Sequence, residues 1–386
     1  MKKFDKHVII IQGVIAMLEI LKFLETAMDS RQKGKVLHKM SDIIAIVFLA
    51  TLANADEWVA IEIFAKEHEG FLRRYLELPN GIPSHDTIQR VMAIVHPELL
   101  QRFKELWNEM LSSDEGEKVK KILAIDGKTQ RGNGNVNQSA NHIVGMVDEY
   151  GFSLAQKLVD EKSNEITAIP KLLDSFNIAG HIVTIDAMGC QKEITRKIRK
   201  KKADYVIALK ANQATLHEDV KLYFADPDFL INCAYHKTTE KARSSIEVRE
   251  YWQTDDVDWL FQKSDWAGLK SIAMTKNTVT NIKSGKQASE TRYFISSLPL
   301  DVKLTAKAIR KHWMVESHHH HLDVTFREDA NHTLEKQAAF NMGIIRRLAL
   351  NVLKLFESGK KSISLKMKRF AIGTNPEKHL GNILSL

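Results

Sequence analysis

The chain has 386 residues, room for two or three domains, and at 44% hydrophobic and 8% aromatic it carries enough apolar material to exclude wholesale disorder. A net charge of +8 favours polyanions, nucleic acid before membrane surface. Two cysteines, Cys190 and Cys233, make no disulfide framework and indicate a reducing compartment.

The apolar start is interrupted by Glu19, Lys22 and Glu25, and no small-residue cleavage site follows, so it is not read as a signal peptide. Residues 1–117 carry helical spacing in Val14–Leu24, Ile43–Leu52, Trp58–Phe64 and Leu99–Leu111. Ile43–Ala53 is apolar throughout but too short to span a bilayer, which predicts a buried helix. Ser84 is placed to cap a helix beginning HDTIQRVMAIV. SSDEGE, Ser112–Glu117, reads as a linker.

Beyond it the pattern turns to strands. Lys121–Ile125, His142–Val147 and Ser153–Val159 read as a three-strand meander. A helix follows over Glu165–Phe176, with Ser163 a candidate cap, then a strand at Ile182–Ile185, a helix from about Gln191 to Lys202 and a strand at Tyr205–Leu209. A meander followed by alternating helix and strand predicts a mixed α/β sheet. After a helix over Gln213–Tyr223, a β-rich insertion spans about 238–298, and helices return at Leu304–Phe326 and Gln337–Phe356 before a basic tail with Lys360, Lys361, Lys366, Lys368 and Arg369.

Two of the strands run into an aspartate and a glycine-containing turn: ILAIDG at Asp126 and IVTIDAMG at Asp186. If those strands are neighbours, the two carboxylates can share a divalent cation. Glu316, in the late helix, is a third carboxylate, with Asp323, Glu328 and Asp329 as rivals. An all-oxygen set suits Mg²⁺, and two such ions can serve phosphodiester chemistry. Lys128, Arg131, Lys162 and Lys210 lie near strand ends, and Arg310, Lys311, His312 and Trp313 precede Glu316 by one to two turns. Cations and an aromatic ring in those places suit a phosphate backbone and a stacked base. The run His318–His321 is read as solvated or DNA-facing rather than zinc-binding, because consecutive histidines point in different directions around a helix. The basic helix KEITRKIRKKK reads first as a solvated face and second as a phosphate track.

The ordered blocks AIDGKTQRG, DEKSNEITAIPKLL, VTIDAMGCQKEI, DYVIALKANQATLHEDV and HWMVES…LDVTFRED resemble the bacterial DDE insertion-sequence transposases, in the branch that includes the H-repeat-associated proteins. LPNGIPSHDT and RRLALNVLK match the same branch, so the resemblance covers most of the chain. It implies an RNase H-like α/β catalytic core, which falls on 118–386 around the insertion, and the helical region over 1–117 is then expected to be an N-terminal DNA-binding domain. It places the catalytic, metal-holding acids on Asp126, Asp186 and Glu316, with two Mg²⁺ ions, Mn²⁺ being able to substitute. The activity it implies is cleavage of double-stranded DNA at insertion-sequence ends and strand transfer into a target, by a homodimer in the bacterial cytoplasm, on the nucleoid when bound to DNA. A DNA-binding relative without catalysis and a nuclease without strand transfer are the alternatives. The tyrosine, arginine and lysine that related transposases carry around the glutamate fall here on Ile309, His312 and Asp323. No histidine–tryptophan pair follows Glu316, and KARSS at Lys241–Ser245 lacks the basic motif expected of the insertion.

Overall fold

The structure, a computed structural model, describes residues 36–112, 121–160, 164–356 and 363–384, with a few more between 23 and 34. Lys162, Ser163, most of Val14–Leu24, all but the first residue of the Ser112–Glu117 linker, and Lys360 and Lys361 lie outside the described residues.

The N-terminal region folds as α1 (Met40–Leu52), α2 (Trp58–Glu67), α3 (Glu69–Leu72), α4 (His85–Ile94) and α5 (Pro97–Ser112). α1 is apolar around its whole circumference and is buried accordingly. Its one carboxylate, Asp42, accepts the backbone N–H of Leu78 at 3.0 Å, which satisfies it inside the core. Ser84 caps α4 as its sequence predicts, accepting the N–H of Thr87 at 3.4 Å.

The central sheet is built from β1 (Ile122–Thr129), β2 (His142–Asp148), β3 (Ser153–Leu158), β4 (Ile182–Ile185) and β5 (Asp204–Leu209). Two helices connect the later strands, α6 (Glu165–Asp174) and α7 (Lys192–Lys200). The strands lie in the order β3-β2-β1-β4-β5, with β1 antiparallel to β2 and parallel to β4, and β4 parallel to β5. This mixed order is the RNase H-like arrangement.

After α8 (Ala214–Ala225) and α9 (Pro227–Leu230) come β6 (Ala234–Lys241), β7 (Ser245–Thr254), β8 (Ser271–Asn281) and β9 (Gln287–Ser296). The insertion is not a separate sheet. β9 pairs antiparallel with β5, so the order continues β5-β9-β8-β7-β6 and the whole sheet has nine strands. The sequence reading missed β6, whose AYHKTTEK is polar and mostly exposed, an edge strand with little apolar signal.

α10 (Val302–Val324) then crosses one face of the sheet and α11 (Lys336–Leu355) returns beneath the N-terminal helices, followed by α12 (Leu365–Thr374) and α13 (Pro376–Leu384). Residues of α11, Ile372 of α12 and Leu380 of α13 share one hydrophobic core with α1, α2 and α4. The second core lies between the sheet and α6, α7 and α8. Arg369, read from sequence as part of a basic tail, is fully buried between α12 and the C-terminal ends of α1 and α10. It donates to the carbonyl of Thr51 and the carboxylate of Asp56 at 2.7 and 2.6 Å, and lies 4.3 Å from the centre of the Phe326 ring. Among the described residues no helix is long and apolar enough to cross a membrane.

Candidate active site

Strand register places the two aspartates. β1 and β4 pair in parallel up to Ile125 opposite Ile185, so Asp126 and Asp186 occupy the next position on adjacent strands. Alternation along a strand then puts both carboxylates on one face. Leu123 and Ile125 point into the core beneath α6, whereas Ile122 and Ala124 point to the α10 side, and Asp126 follows the latter. The apolar run predicts a first strand ending at Ile125. The strand runs on to Thr129, still paired with β2, so Asp126 stands where β4 has stopped and β2 has not. Asp186 also accepts the N–H groups of Met188 and Gly189, at 3.1 and 3.4 Å, which fixes its carboxylate over the turn.

Glu316 comes from the overlying helix. Val315 packs on Ala124 and Val147, which lays α10 across β1 and β2, and Glu316 lines the same cleft as Asp126 and Asp186. Burial pushes the Asp126 carboxyl up to about 7, and the charges of Asp186, Glu165 and Glu316 push in the same direction. Asp186 is raised too, by burial first and by Glu165. Carboxylates that resist ionising together are what a bound cation relieves.

A fourth acid, absent from the sequence-based set, is the closest neighbour. Oxygens of Asp126, Glu165 and Asp186 all lie within 4.8 Å of one another. The donors are all carboxylate oxygens, partly buried and facing one point, which fits a hard divalent ion such as Mg²⁺ or Mn²⁺ and not zinc. Glu316 is exposed and stands outside that tight group. Glu165 lies within the block DEKSNEITAIPKLL, but in the first turn of a helix, where glutamate is common, so nothing local marked it as a ligand.

The rivals of Glu316 are engaged elsewhere. The ammonium of Lys128 lies 2.6 Å from Asp323, 2.9 Å from Asp329 and 3.7 Å from Glu328. Glu328 also bonds Arg347 at 2.9 Å and Gln130 at 3.1 Å. Burial raises the Glu328 carboxyl, but Arg347, Arg346 and Lys128 outweigh it and hold it near 2. Lys128 therefore neutralises a partly buried acidic cluster, and with only 6% of its side chain exposed it points inward rather than to the surface.

The other basic and aromatic candidates divide. Lys210, Arg310, His312 and Trp313 line the cleft, joined by Arg249, Lys276 and Arg292 from the insertion, which the sequence did not single out. Arg292 lies 5.3 Å from the centre of the exposed Trp313 ring. Arg310 reaches Glu240 at 3.5 Å. Burial, and then Arg292, drive His312 down to about 4, so its neutral ring shares a hydrogen bond of 3.1 Å with the Thr184 hydroxyl. Arg131 is exposed, 3.8 Å from Asp329.

The four histidines are not a solvated run. His318 is buried, its Nδ1 3.3 Å from the carbonyl of Gly151, and only His320 is exposed. His319 sits on the same helix face as Glu316, 3.7 Å from Asp126, and burial together with Arg347 and Lys128 depresses it to about 3. On α7, Lys192 pairs with Asp265 at 2.6 Å, Lys197 and Lys201 with Asp174, Arg196 with Glu193 and Arg199 with Asp204. That helix is largely a face of internal ion pairs.

The family model for the transposase DDE domain matches residues 117–352, and that for its associated domain residues 21–108. The chain belongs to the DDE transposase family. The chain is 36% identical over 369 residues to "Putative transposase YncI" of Escherichia coli O157:H7, covering 92% of each chain. It is 34% identical over 377 residues to "H repeat-associated putative transposase YhhI" of Escherichia coli strain K12, covering 95% of this chain and 98% of the relative. It is also 40% identical over 75 residues to "Inactive transposase YbfQ" of strain K12, which covers 19% of this chain and 89% of that relative.

Proposed function

We propose that this transposase cuts double-stranded DNA at insertion-sequence ends and transfers the freed 3′ ends to a target, with Asp126, Asp186 and Glu316 as its catalytic acids. The observation that carries the reading is the equal register of β1 and β4, which brings two aspartates to one cleft beneath a glutamate of α10. Bound there, two Mg²⁺ ions would activate an attacking oxygen and stabilise a leaving one at phosphorus, which serves both hydrolysis and strand transfer. The chain's own part is to hold that point and the DNA over it. Asp126 within β1 and Asp186 just past β4 would hold the ion, and Glu316 would close the site from the helix above. Lys210, Arg249, Lys276, Arg292 and Arg310 supply cations along the cleft for the phosphodiester backbone, Arg131 lies outside it on an exposed turn, and Trp313 offers a ring for a base. His312 orients by its bond to Thr184 rather than by charge. Lys162, a DNA contact in the same reading, lies outside the described residues. The helical region over 1–117 would hold the element ends, and two chains would bring two ends together in the bacterial cytoplasm.

The test is a strand-transfer assay with pre-cut, labelled ends and supercoiled target. Wild type is expected to join ends only with Mg²⁺ or Mn²⁺, and Asp126→Ala to bind the same DNA without joining it. Joining by Asp126→Ala overturns the assignment. Mg²⁺-dependent cutting of uncut ends without joining of pre-cut ones makes the protein a nuclease, and binding without either reaction makes it a DNA-binding relative.

A further inference from the structure

Glu165 reaches the aspartates from the opposite side of the sheet to Glu316. Its helix, α6, packs through Ala168, Ile169, Leu172 and Leu173 on the face that holds Leu123 and Ile125. A carboxylate on that face can meet Asp126 only by passing over the strand. Gly127 makes the passage. A Cβ at Gly127 would lie 2.0 Å from Oε1 of Glu165 and 2.7 Å from Nε2 of His142. Any side chain there would occupy the place the Glu165 carboxylate now takes.

The carboxylate is also held from behind. His142 Nε2 lies 2.6 Å from Glu165 Oε1, and His142 Nδ1 lies 2.8 Å from the hydroxyl of Thr129. Thr129 and His142 face each other across β1 and β2, on the side of the sheet that Gly127 faces. With the Thr129 hydroxyl donating to Nδ1, the ring is left with its proton on Nε2 and donates to Glu165. Hydrogen bonds of this kind fix how a ligating carboxylate is presented to an ion.

From this geometry we infer that Glu165 is a fourth metal ligand, with His142 and Thr129 as its positioning residues and Gly127 as the gap that admits it. The inference rests on the proposed metal-dependent site and deepens it: the cation is clasped from both faces of the sheet, by Glu165 on one and Glu316 on the other. The Asp126–Glu165–Asp186 group is the tighter of the two sets, so it holds an ion before DNA arrives. Glu316, farther off and exposed, joins from the DNA side.

The experiment is Mn²⁺ titration of the full chain without DNA, by calorimetry and by the loss of the free-ion paramagnetic resonance signal. Wild type is expected to bind. Glu165→Gln should weaken binding by about 10- to 100-fold, and Gly127→Ala, which keeps every acid but displaces the carboxylate, should do the same. His142→Phe should weaken it by roughly 10-fold with an unchanged bound-ion spectrum intensity at saturation and an unchanged melting temperature in EDTA. Asp126→Asn is the control for the site as a whole. Wild-type affinity in both Glu165→Gln and Gly127→Ala, with binding lost in Asp126→Asn, overturns the role of Glu165 and leaves the three-acid site standing. No Mn²⁺ binding by wild type overturns both.

Discussion

Replacing Lys128 by methionine separates two accounts of that residue. If Lys128 met DNA, as its place beside Asp126 in the sequence suggests, its loss would weaken DNA binding and reduce the salt dependence of affinity by one phosphate contact, a slope change of about 1. In the structure its ammonium is the counter-charge of Asp323, Asp329 and Glu328. Stripping one partner from a fully buried ion pair costs about 3–5 kcal/mol. Here the cost is lower. Glu328 keeps Arg347 and Gln130, while Asp323 and Asp329, with 35% and 28% of their side chains exposed, can draw on water. About 2–3 kcal/mol is the expected loss, or roughly 5 °C in melting temperature for a chain of this size. The assays are thermal unfolding and the affinity for duplex DNA across a salt series, below the melting point of the variant. Reduced stability with an unchanged salt slope is predicted. A variant as stable as wild type, with a shallower slope, would refute the acidic-cluster account.

Arg369→Ala removes the donor that ties α12 to Thr51 and Asp56, and should cost about 3–5 kcal/mol, read as a large fall in melting temperature; a loss below 1 kcal/mol would show the buried arginine to be dispensable. Burial, aided by Arg347, lowers the fully buried Lys104 amine to about 7. A group depressed in the fold binds its proton only in the unfolded chain between that value and its ordinary range, so wild type gains stability as pH rises from about 7 to 10. Lys104→Met should therefore be more stable than wild type at pH 7, by roughly 2 kcal/mol, with the difference shrinking towards pH 10; a difference that does not change with pH would contradict this. Trp313→Ala should weaken binding of single-stranded end DNA by about 1–3 kcal/mol while leaving stability unchanged, and equal affinity would remove the ring from the DNA path.

The core sheet was legible because its signals are local. Apolar runs ending at Asp126 and Asp186 give β1 and β4, and an apolar segment without a polar face gives the buried α1. What was not legible depends on registers and pairings that no local pattern carries. Glu165 reaches the site only because Gly127, thirty-eight positions earlier, leaves space on the adjoining strand. Lys128 and Arg369 read as surface cations because charge is a surface signal by composition, yet each answers carboxylates brought in from distant segments. His318 reads as solvated within a polar run, but helical rotation turns it into the protein while His320 faces outward. The edge strand β6 alternates too weakly in hydrophobicity to show itself, and Arg249, Lys276 and Arg292 reach the cleft only through the pairing of β9 with β5, which no local pattern carries.

Asp126, Asp186 and Glu316, and not the acids around Lys128, are the groups proposed to carry phosphodiester chemistry. The most direct test is Mg²⁺-dependent cleavage of labelled duplex carrying the native element ends, with wild type, Glu316→Gln and Asp323→Asn side by side. Cutting is expected from wild type, and from Asp323→Asn at a temperature where it is folded, with none from Glu316→Gln despite normal DNA binding. Cleavage by Glu316→Gln at the wild-type rate would contradict this assignment.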